Sequence, residues 1–81
     1  RDGEAIALTA REFDLLALLA RHPRQVLPRG RILERIWGDR PDVDPNVLDV
    51  YIGYLRRKID RPGRPRLIHT VRGVGYTLRE S

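Results

Sequence analysis

The stretch "NVLDVYIGYLRRKID", residues 46–60, shows most directly how this sequence folds. Its aliphatic residues recur at intervals of three and four, so at about 100° per residue they fall on one side of an α-helix. The pattern predicts a long amphipathic helix, which we place at residues 45–60. The side that we expect to be buried carries Leu48, Ile52, Leu55 and Ile59.

The opposite side of this helix is unusual for a surface that meets only solvent. It carries Asn46, Val50, Gly53, Tyr54 and Arg57. The glycine costs a helix about 1 kcal/mol relative to alanine. A helix in the major groove of DNA would explain the set, because asparagine can pair with adenine and valine can touch a thymine methyl. Glycine would permit close approach, and tyrosine and arginine could reach phosphates or base edges. The alternative is a solvated face with a tolerated glycine.

Charged residues lie along one flank of the same helix. Asp49, Arg56 and Asp60 gather there, and the last two are four residues apart. Side chains at this spacing meet on a helix surface, so we predict that Arg56 and Asp60 form an ion pair worth about 0.3 kcal/mol.

The segment "HTVRGVGYTL", residues 69–78, predicts a β-hairpin. "LIHTV" and "YTLRE" read as strands that pair across a turn at Arg72–Gly75, and Gly73 and Gly75 permit that turn. At the tip of a hairpin, Arg72 cannot help to build a core. A projecting arginine suits the minor groove of A·T-rich DNA, where the negative potential is enhanced. The alternative is an exposed turn residue without a partner.

An N-terminal helix is predicted from its start signal. Thr9 can cap the helix while Glu12 reaches back to the backbone of Thr9, which is the capping-box pattern. Leu8 and Phe13 flank this box as a hydrophobic staple. The helix should end before Pro23, because the residue before a proline disfavours helical geometry. We expect the buried stripe of this helix to comprise Phe13, Leu15, Leu16, Ala17, Leu19 and Ala20.

Further elements complete the predicted fold. Residues 3–8 and 25–27 are short strand candidates, and Pro28 suits the start of a second helix that Gly38 ends. A polar loop at residues 39–46 leads to the third helix. The apolar face of the second helix comprises Ile32, Leu33, Ile36 and Trp37.

The charge of the chain is concentrated in its C-terminal part. The 81 residues carry 16 Lys+Arg and 11 Asp+Glu, a net charge of +5. Residues 51–81 hold eight basic and two acidic residues, whereas residues 1–50 hold eight basic and nine acidic ones. This excess suits an anionic partner, and arginine, which supplies fifteen of the cations, suits phosphate and base contacts. Codon usage in a GC-rich genome is the alternative explanation of the arginine content.

The composition also argues against several classes of function. The chain has no cysteine, which excludes disulfides, thiolate metal sites and a cysteine nucleophile. The apolar run Leu15–Ala20 is too short to span a membrane and no signal peptide is visible, so we expect a cytoplasmic protein without a membrane partner. His22 and His69 have no ligand or catalytic partner at a useful spacing, so we predict no enzyme activity, no metal and no cofactor.

Four segments of the chain, in their order and spacing, resemble one family of DNA-binding domains. They cover nearly the whole chain: "LTAREFDLLALLARHP" (8–23), "RGRILERIWG" (29–38), "VLDVYIGYLRRKID" (47–60) and "HTVRGVGYTL" (69–78). They are similar to the effector domains of OmpR/PhoB-type response regulators. The resemblance implies an α+β winged helix-turn-helix, with three helices, a C-terminal hairpin wing and a truncated N-terminal sheet.

The resemblance also implies how such a domain meets DNA. Residues 45–60 would be the recognition helix in the major groove, and the hairpin at residues 67–79 would be the wing in the minor groove. Arg29 and Trp37 would meet the phosphate backbone, and Thr70 would serve the wing together with the arginine at its tip. The predicted DNA-binding set is Arg29, Trp37, Asn46, Val47, Val50, Gly53, Tyr54, Arg57, Thr70 and Arg72.

A regulatory context follows from the same resemblance. Members of the family usually bind direct-repeat half-sites of double-stranded DNA as homodimers. An N-terminal receiver domain, phosphorylated on aspartate by a sensor kinase, normally controls them, and the loop at residues 38–45 would face RNA polymerase. We therefore expect residues 1–81 to form one winged-helix domain of a transcription regulator, a fragment that lacks the receiver domain and most of the N-terminal sheet.

Three features depart from the family pattern. Asn46, Gly53 and Tyr54 stand where many members carry arginines or small polar residues, so base preferences do not carry over. Pro28 replaces a serine or threonine cap and removes one phosphate contact. Of a four-stranded N-terminal sheet, only the last strand could lie in residues 3–8. The rival function is a winged-helix protein-interaction module whose third-helix face meets an acidic protein.

Overall fold

Three helices and a three-stranded antiparallel sheet form this computed structural model, which describes residues 6–40, 42–63 and 65–80. The predicted order of three helices and a C-terminal hairpin is confirmed. Of the strand predicted at residues 3–8, residues 6–8 have no regular structure, and the rest lies outside the described residues. The elements are α1 (Ala10–Ala20), β1 (Leu27–Pro28), α2 (Arg29–Trp37), α3 (Val47–Ile59), β2 (Ile68–Val71) and β3 (Gly75–Leu78).

Helix α1 begins at the predicted capping box. The Glu12 backbone N–H donates to the Thr9 hydroxyl at 3.2 Å, and the Thr9 N–H donates to Glu12 Oε1 at 2.8 Å. The first of these bonds satisfies a backbone donor that the first helical turn would otherwise leave unpaired. The helix ends at Ala20, ahead of Pro23, as predicted.

The buried side of α1 differs from the predicted stripe. Its buried leucines are Leu15, Leu18 and Leu19. Glu12 is buried on the same side, and at about 100° per residue Phe13 then points away from the core. Phe13 is 61% exposed and Ala20 is exposed, so their assignment to the buried stripe is wrong. Leu8, the predicted staple partner of Phe13, packs against the core.

Helix α2 follows β1 directly and has no side-chain cap. Pro28 is the N-cap residue, and its side chain has no atom that could accept a hydrogen bond. Gly38 is the C-cap, as predicted. The predicted apolar face is confirmed, because its members are buried or packed at the edge of the core: Ile32, Leu33, Ile36 and Trp37.

Helix α3 begins at Val47, two residues after the predicted start. The Asp44 carboxylate accepts the N–H of Asn46 at 2.9 Å, and the Asp44 carbonyl accepts the N–H of Val47 at 2.9 Å. These bonds form a tight turn before the helix. The sequence pattern assigned part of this turn to the helix. The predicted buried side is confirmed, because each member is at most 5% exposed: Leu48, Ile52, Leu55 and Ile59.

The strands are arranged in the order β1–β3–β2, so β3 is central. In the hairpin, Thr70 lies opposite Tyr76, and Gly73 turns the chain with a φ of +75°. Gly75 has a different role from the turn that we predicted for it. A Cβ at Gly75 would lie 1.9 Å from the Leu27 carbonyl oxygen, so glycine allows β1 to approach β3.

One hydrophobic core joins the helices to the sheet. Leu27 from β1, Ile68 from β2 and Tyr76 from β3 pack into the cluster that the three helices form. Strand β1 is Leu27–Pro28, shifted from the predicted 25–27. This packing uses one side of α3 and leaves the other side and the hairpin turn at the surface.

Candidate nucleic-acid interface

The side of α3 opposite the core is exposed. Val50 is 46% exposed and Tyr54 is 39% exposed, and Asn46 and Arg57 are exposed as well. Gly53 lies half-buried between them. The predicted division of α3 into a buried and an exposed side is confirmed. The contact of the exposed side with DNA stays a prediction.

A row of aromatic rings runs from the core to this exposed side. The rings of Trp37 and Tyr51 meet edge to face with centroids 5.4 Å apart, and those of Tyr51 and Tyr54 do so at 5.4 Å. The Arg57 guanidinium lies 5.4 Å from the centroid of the Tyr54 ring. One of its nitrogens is 3.6 Å from where a Cβ at Gly53 would be. Ring and cation contacts of this kind restrain side chains, so Tyr54 and Arg57 are presented as one pair.

Two predicted DNA-binding residues take part in packing. Trp37 is only 5% exposed, and the Arg11 guanidinium lies 5.7 Å from the centroid of its ring. Val47 is half-buried and packs against the core at the start of α3. The main structural role of both is packing, and a phosphate or base contact from either stays a prediction.

Arg29, Asp49 and Tyr76 form a polar cluster where α2, α3 and β3 meet, which we call the junction cluster. Arg29 Nη1 donates to Asp49 Oδ1, and the Tyr76 hydroxyl donates to the same oxygen. Arg29 Nη2 approaches the Pro45 carbonyl oxygen at 3.5 Å, and the Arg29 backbone N–H donates to the Val74 carbonyl at 3.1 Å. The Arg29 side chain is 35% exposed, so this predicted phosphate contact is anchored within the protein and also reaches the surface.

The groups of the junction cluster hold one another in fixed protonation states. The hydrogen bond from Arg29 lowers the pKa of Asp49, and the bond from the Tyr76 hydroxyl lowers it further. Burial raises the pKa of the Tyr76 phenol, and its hydrogen bond to the ionised Asp49 raises that pKa further. At neutral pH the cluster therefore holds an ionised carboxylate, a charged guanidinium and a neutral phenol.

A second connection between α3 and the hairpin comes from Arg56. Its Nη2 donates to the Thr70 hydroxyl at 2.7 Å and to the Ile68 carbonyl at 3.2 Å. Asp60 accepts the backbone N–H groups of Leu67 at 2.8 Å and of Ile68 at 3.1 Å. These contacts reach the hairpin and are not the helical pair that we predicted for Arg56 and Asp60. Thr70, a predicted wing residue, is thus also part of the link between α3 and β2.

The turn of the hairpin presents exposed residues at the surface. Arg72 is exposed in the turn, and Val74 is 47% exposed. The backbone N–H of Val74 donates to the Val71 carbonyl at 3.0 Å, which closes the turn. The predicted minor-groove residue is therefore at the surface, and its contact with DNA stays a prediction.

The C-terminal end of α3 is anchored to α1 by an ion pair. Lys58 Nζ lies 2.6 Å from Glu12 Oε1, and the Glu12 side chain is only 3% exposed. The hydrogen bond from Lys58 lowers the pKa of Glu12, and the backbone N–H of Thr9 lowers it further. The sequence had identified Glu12 for the capping box alone. Its partner lies 46 residues away, beyond the reach of any helical spacing rule.

The loop predicted to face RNA polymerase, residues 38–45, is described except for Pro41. The Arg40 N–H donates to the Trp37 carbonyl at 2.9 Å, and the Val43 N–H donates to the Arg40 carbonyl at 3.1 Å. Val43 packs against the core. The loop is thus tied to the end of α2, and its contact with RNA polymerase stays a prediction.

Metal-ligand clusters and membrane-spanning helices are both absent from the described residues. Across residues 6–40, 42–63 and 65–80, no three His, Cys, Asp or Glu side chains are placed to hold a metal ion together. None of the helices in those segments has the length and apolar character that crossing a membrane requires.

Comparison with known proteins gives this arrangement a family. The protein family described as "Transcriptional regulatory protein, C terminal" matches residues 3–78 of this chain. The chain belongs to this family. It is an OmpR/PhoB-type effector domain with the winged-helix fold, so the resemblance read from its sequence is confirmed.

Individual relatives of this effector domain agree with the assignment. Response regulator MprA of Mycobacterium sp. (strain KMS) is 58% identical over 81 residues, which are 100% of this chain and 35% of that protein. The DNA binding domain of CpxR from E. coli matches with a TM-score of 0.81 and 38% identity, over 98% of this chain and 78% of that one. DrrB, an OmpR/PhoB homologue from Thermotoga maritima, matches with a TM-score of 0.82 and 38% identity, over 95% of this chain and 35% of that one. The effector domain thus spans about a third of the length of the curated relatives that it matches.

Proposed function

We propose that this effector domain binds double-stranded DNA in a sequence-specific manner, as the output domain of a two-component transcription regulator. The observation that carries the proposal is that α3 has an exposed side and is hydrogen-bonded to a hairpin with an exposed arginine in its turn. Asp49 and Arg56 tie α3 to that hairpin through Tyr76 and Thr70, so one duplex can engage both elements. The relatives named as response regulators and DNA binding domains support the same function.

In this proposal α3 lies in the major groove. Asn46, at the start of the helix, pairs with adenine, and Val50 contacts a thymine methyl. Gly53 allows the helix backbone to come close to the duplex. The pair formed by Tyr54 and Arg57 reaches base edges or phosphates, since an arginine supported by a ring is already restrained.

The hairpin is the wing, and its turn enters the adjacent minor groove. Arg72 is drawn there by the negative potential of a narrow A·T-rich groove. Thr70 and Arg29 flank the helix and donate to phosphates, and Trp37 contributes its indole edge. Val47 completes the surface at the start of α3.

The proposal extends to the protein of which this domain is a part. We propose that residues 1–81 act as one domain under the control of a receiver domain, which a sensor kinase phosphorylates. Homodimers would bind direct-repeat half-sites, and the loop at residues 38–45 would contact RNA polymerase. The name of the relative MprA as a response regulator supports this context.

Selection of duplexes from a random pool by the chain of residues 1–81 tests the proposal. We expect enrichment of one short motif, with a preference below the roughly 10³-fold typical of complete regulators because one domain contacts a single half-site. Affinity should fall steeply with salt, since phosphate contacts release counterions. Equal binding to selected and random duplexes, with competition by an acidic protein, would favour the protein-interaction module instead.

Matched variants then assign the two contact elements. Val50→Ala should lower discrimination at one thymine by about 1 kcal/mol, whereas Val26→Ala, which changes another exposed valine, should leave binding unchanged. Arg72→Ala should weaken binding and flatten the preference for A·T-rich flanks. Arg21→Ala, at the end of α1, is its charge-matched control. An equal loss on all sequences in Val50→Ala would mean that Val50 reads no base.

A further inference from the structure

An acidic residue lies at the edge of the proposed DNA-binding side of α3. At about 100° per residue, Asp49 is about 40° around the helix from Gly53 and about 60° from Asn46. Its side chain is 43% exposed. A free carboxylate there would repel the phosphates of any duplex. Asp49 is not free, because Arg29 and the Tyr76 hydroxyl both donate to its Oδ1.

These two donors come from different parts of the fold. Arg29 is the first residue of α2, and Tyr76 lies in β3, next to the strand end from which the wing turn emerges. The Arg29 backbone N–H also donates to Val74, within the wing turn, at 3.1 Å. The wing therefore fixes the backbone of Arg29, and α3 fixes its guanidinium through Asp49.

Anchoring of this kind suits an arginine that meets a phosphate. A guanidinium has five N–H donors in a rigid plane, and a carboxylate that holds one edge aims the other. The Arg29 guanidinium donates to Asp49 and approaches the Pro45 carbonyl oxygen at 3.5 Å. The other N–H donors of the Arg29 guanidinium belong to a side chain that is 35% exposed, so a phosphate can reach them.

The Tyr76 hydroxyl adds a link between helix and wing. Its ring is buried at 6% exposure, so the hydroxyl has a fixed position against α3. The Arg56 guanidinium lies 5.8 Å from the centroid of the same ring and donates to Thr70, which is opposite Tyr76 in the hairpin. Tyr76 is thus held from both sides of the hairpin–helix contact.

We propose that Asp49 is a positioning residue for sequence discrimination, which aims Arg29 and holds the wing at a fixed angle to α3. The inference rests on the proposed DNA-binding function and deepens it. A reading surface that holds one shape loses more affinity on a wrong sequence than one that adjusts. Asp49 contributes through Arg29 and Tyr76 and not by reading a base itself.

The test compares affinities for two probes. One is the duplex that the wild-type chain selects from a random pool, and the other is a random-sequence duplex of the same length at the same salt. In Asp49→Asn, the ratio of the two affinities should fall roughly tenfold, as expected for one lost charge-assisted hydrogen bond. Affinity for the random duplex should not fall, because a negative charge near the phosphates has been removed.

Two further variants make the outcome specific. Tyr76→Phe keeps the buried ring and removes only the hydroxyl, and should also lower the same ratio roughly tenfold, because the lost hydrogen bond is made to an ionised carboxylate. Asp14→Asn removes a charge from an exposed position on α1, so it should shift both affinities together and leave the ratio unchanged. Circular dichroism of each variant confirms that it is folded at the assay temperature. If Asp49→Asn is not folded, Tyr76→Phe alone decides the test.

Three results would overturn the inference. The ratio could stay unchanged in Asp49→Asn, or both affinities could fall in parallel, as for a purely structural role. The loss could also be confined to one cytosine, which would make Asp49 a direct base reader. A wild-type chain that does not discriminate between the probes would instead defeat the proposed function itself, and with it the inference. The affinities of the wild-type chain alone therefore distinguish failure of the proposed function from failure of the inference.

Discussion

The two ends of α3 are each anchored by an ion pair, and the two pairs differ in exposure. Near the start of the helix, the side chains of Arg29 and Asp49 are 35% and 43% exposed. Near its end, Lys58 meets Glu12, whose side chain is 3% exposed. Water and salt screen the first pair, so it contributes little to stability. In the second pair the Glu12 carboxylate is buried, so its charge depends on Lys58 for stabilisation.

The difference separates what holds α3 in place from what arranges its surface. Glu12 joins α1 to α3 and also completes the capping box, so it serves the fold. Asp49 is at the edge of the exposed side and joins α3 to the start of α2 and to the wing. We therefore expect loss of Glu12 to appear in stability, and loss of Asp49 to appear in DNA discrimination.

The largest effect is expected at the buried end. Glu12→Ala removes the capping-box acceptor and leaves Lys58 without its partner, and we expect it to lower the free energy of unfolding by about 2 kcal/mol. Urea denaturation followed by circular dichroism measures this change. Glu34→Ala, which removes an exposed acid from α2, is the control and should change stability by less than about 0.5 kcal/mol. A loss in Glu12→Ala no larger than in this control would contradict the assignment.

A pH series tests the same anchor without destroying the cap. The pKa of Glu12 is below its usual 4.5 because of the Lys58 hydrogen bond, so the stability it contributes is present above pH 4.5. That contribution is lost as the pH falls through the lowered pKa. Glu12→Gln cannot titrate, so its melting temperature should fall less than that of the wild type between neutral and acidic pH. The two proteins should converge in acid.

The remaining acid dependence separates the two ends. The pKa of Asp49 is also lowered, chiefly by Arg29, so Glu12→Gln should keep a smaller acid-induced loss. Adding Asp49→Asn should flatten that residual slope. Parallel melting curves for wild type and Glu12→Gln across the whole series would contradict a role of Glu12 in acid stability.

The sequence predicted those parts of the molecule that follow from local rules. The capping box depends on a spacing of three residues between Thr9 and Glu12, and the two sides of α3 depend on the helical period. Both are confirmed. Phe13 was placed in the core because it shares a spacing with apolar neighbours. The side of α1 that is buried is set by what α1 packs against, including Lys58, and no local period contains that information.

The candidate site could be predicted from the sequence only in part, for the same reason. The exposure of Val50 and Arg72 follows from the period of a helix and from the position of a turn. The junction cluster brings together Arg29, Asp49 and Tyr76 from three elements, and only the tertiary fold makes them neighbours. One signal was available, since Asp49 stands beside the proposed DNA-facing residues, where an acid requires a donor.

The smallest effect on stability is expected at the exposed end, in Asp49→Asn. Because water already solvates about two fifths of this carboxylate, the free energy of unfolding should fall by only about 0.5 kcal/mol. The asparagine oxygen can still accept from Tyr76, which limits the loss further. Thermal melting alongside Glu12→Ala measures the contrast directly. A loss as large as that of Glu12→Ala would mean that both ends serve the fold, and the proposed division of roles along α3 would fail.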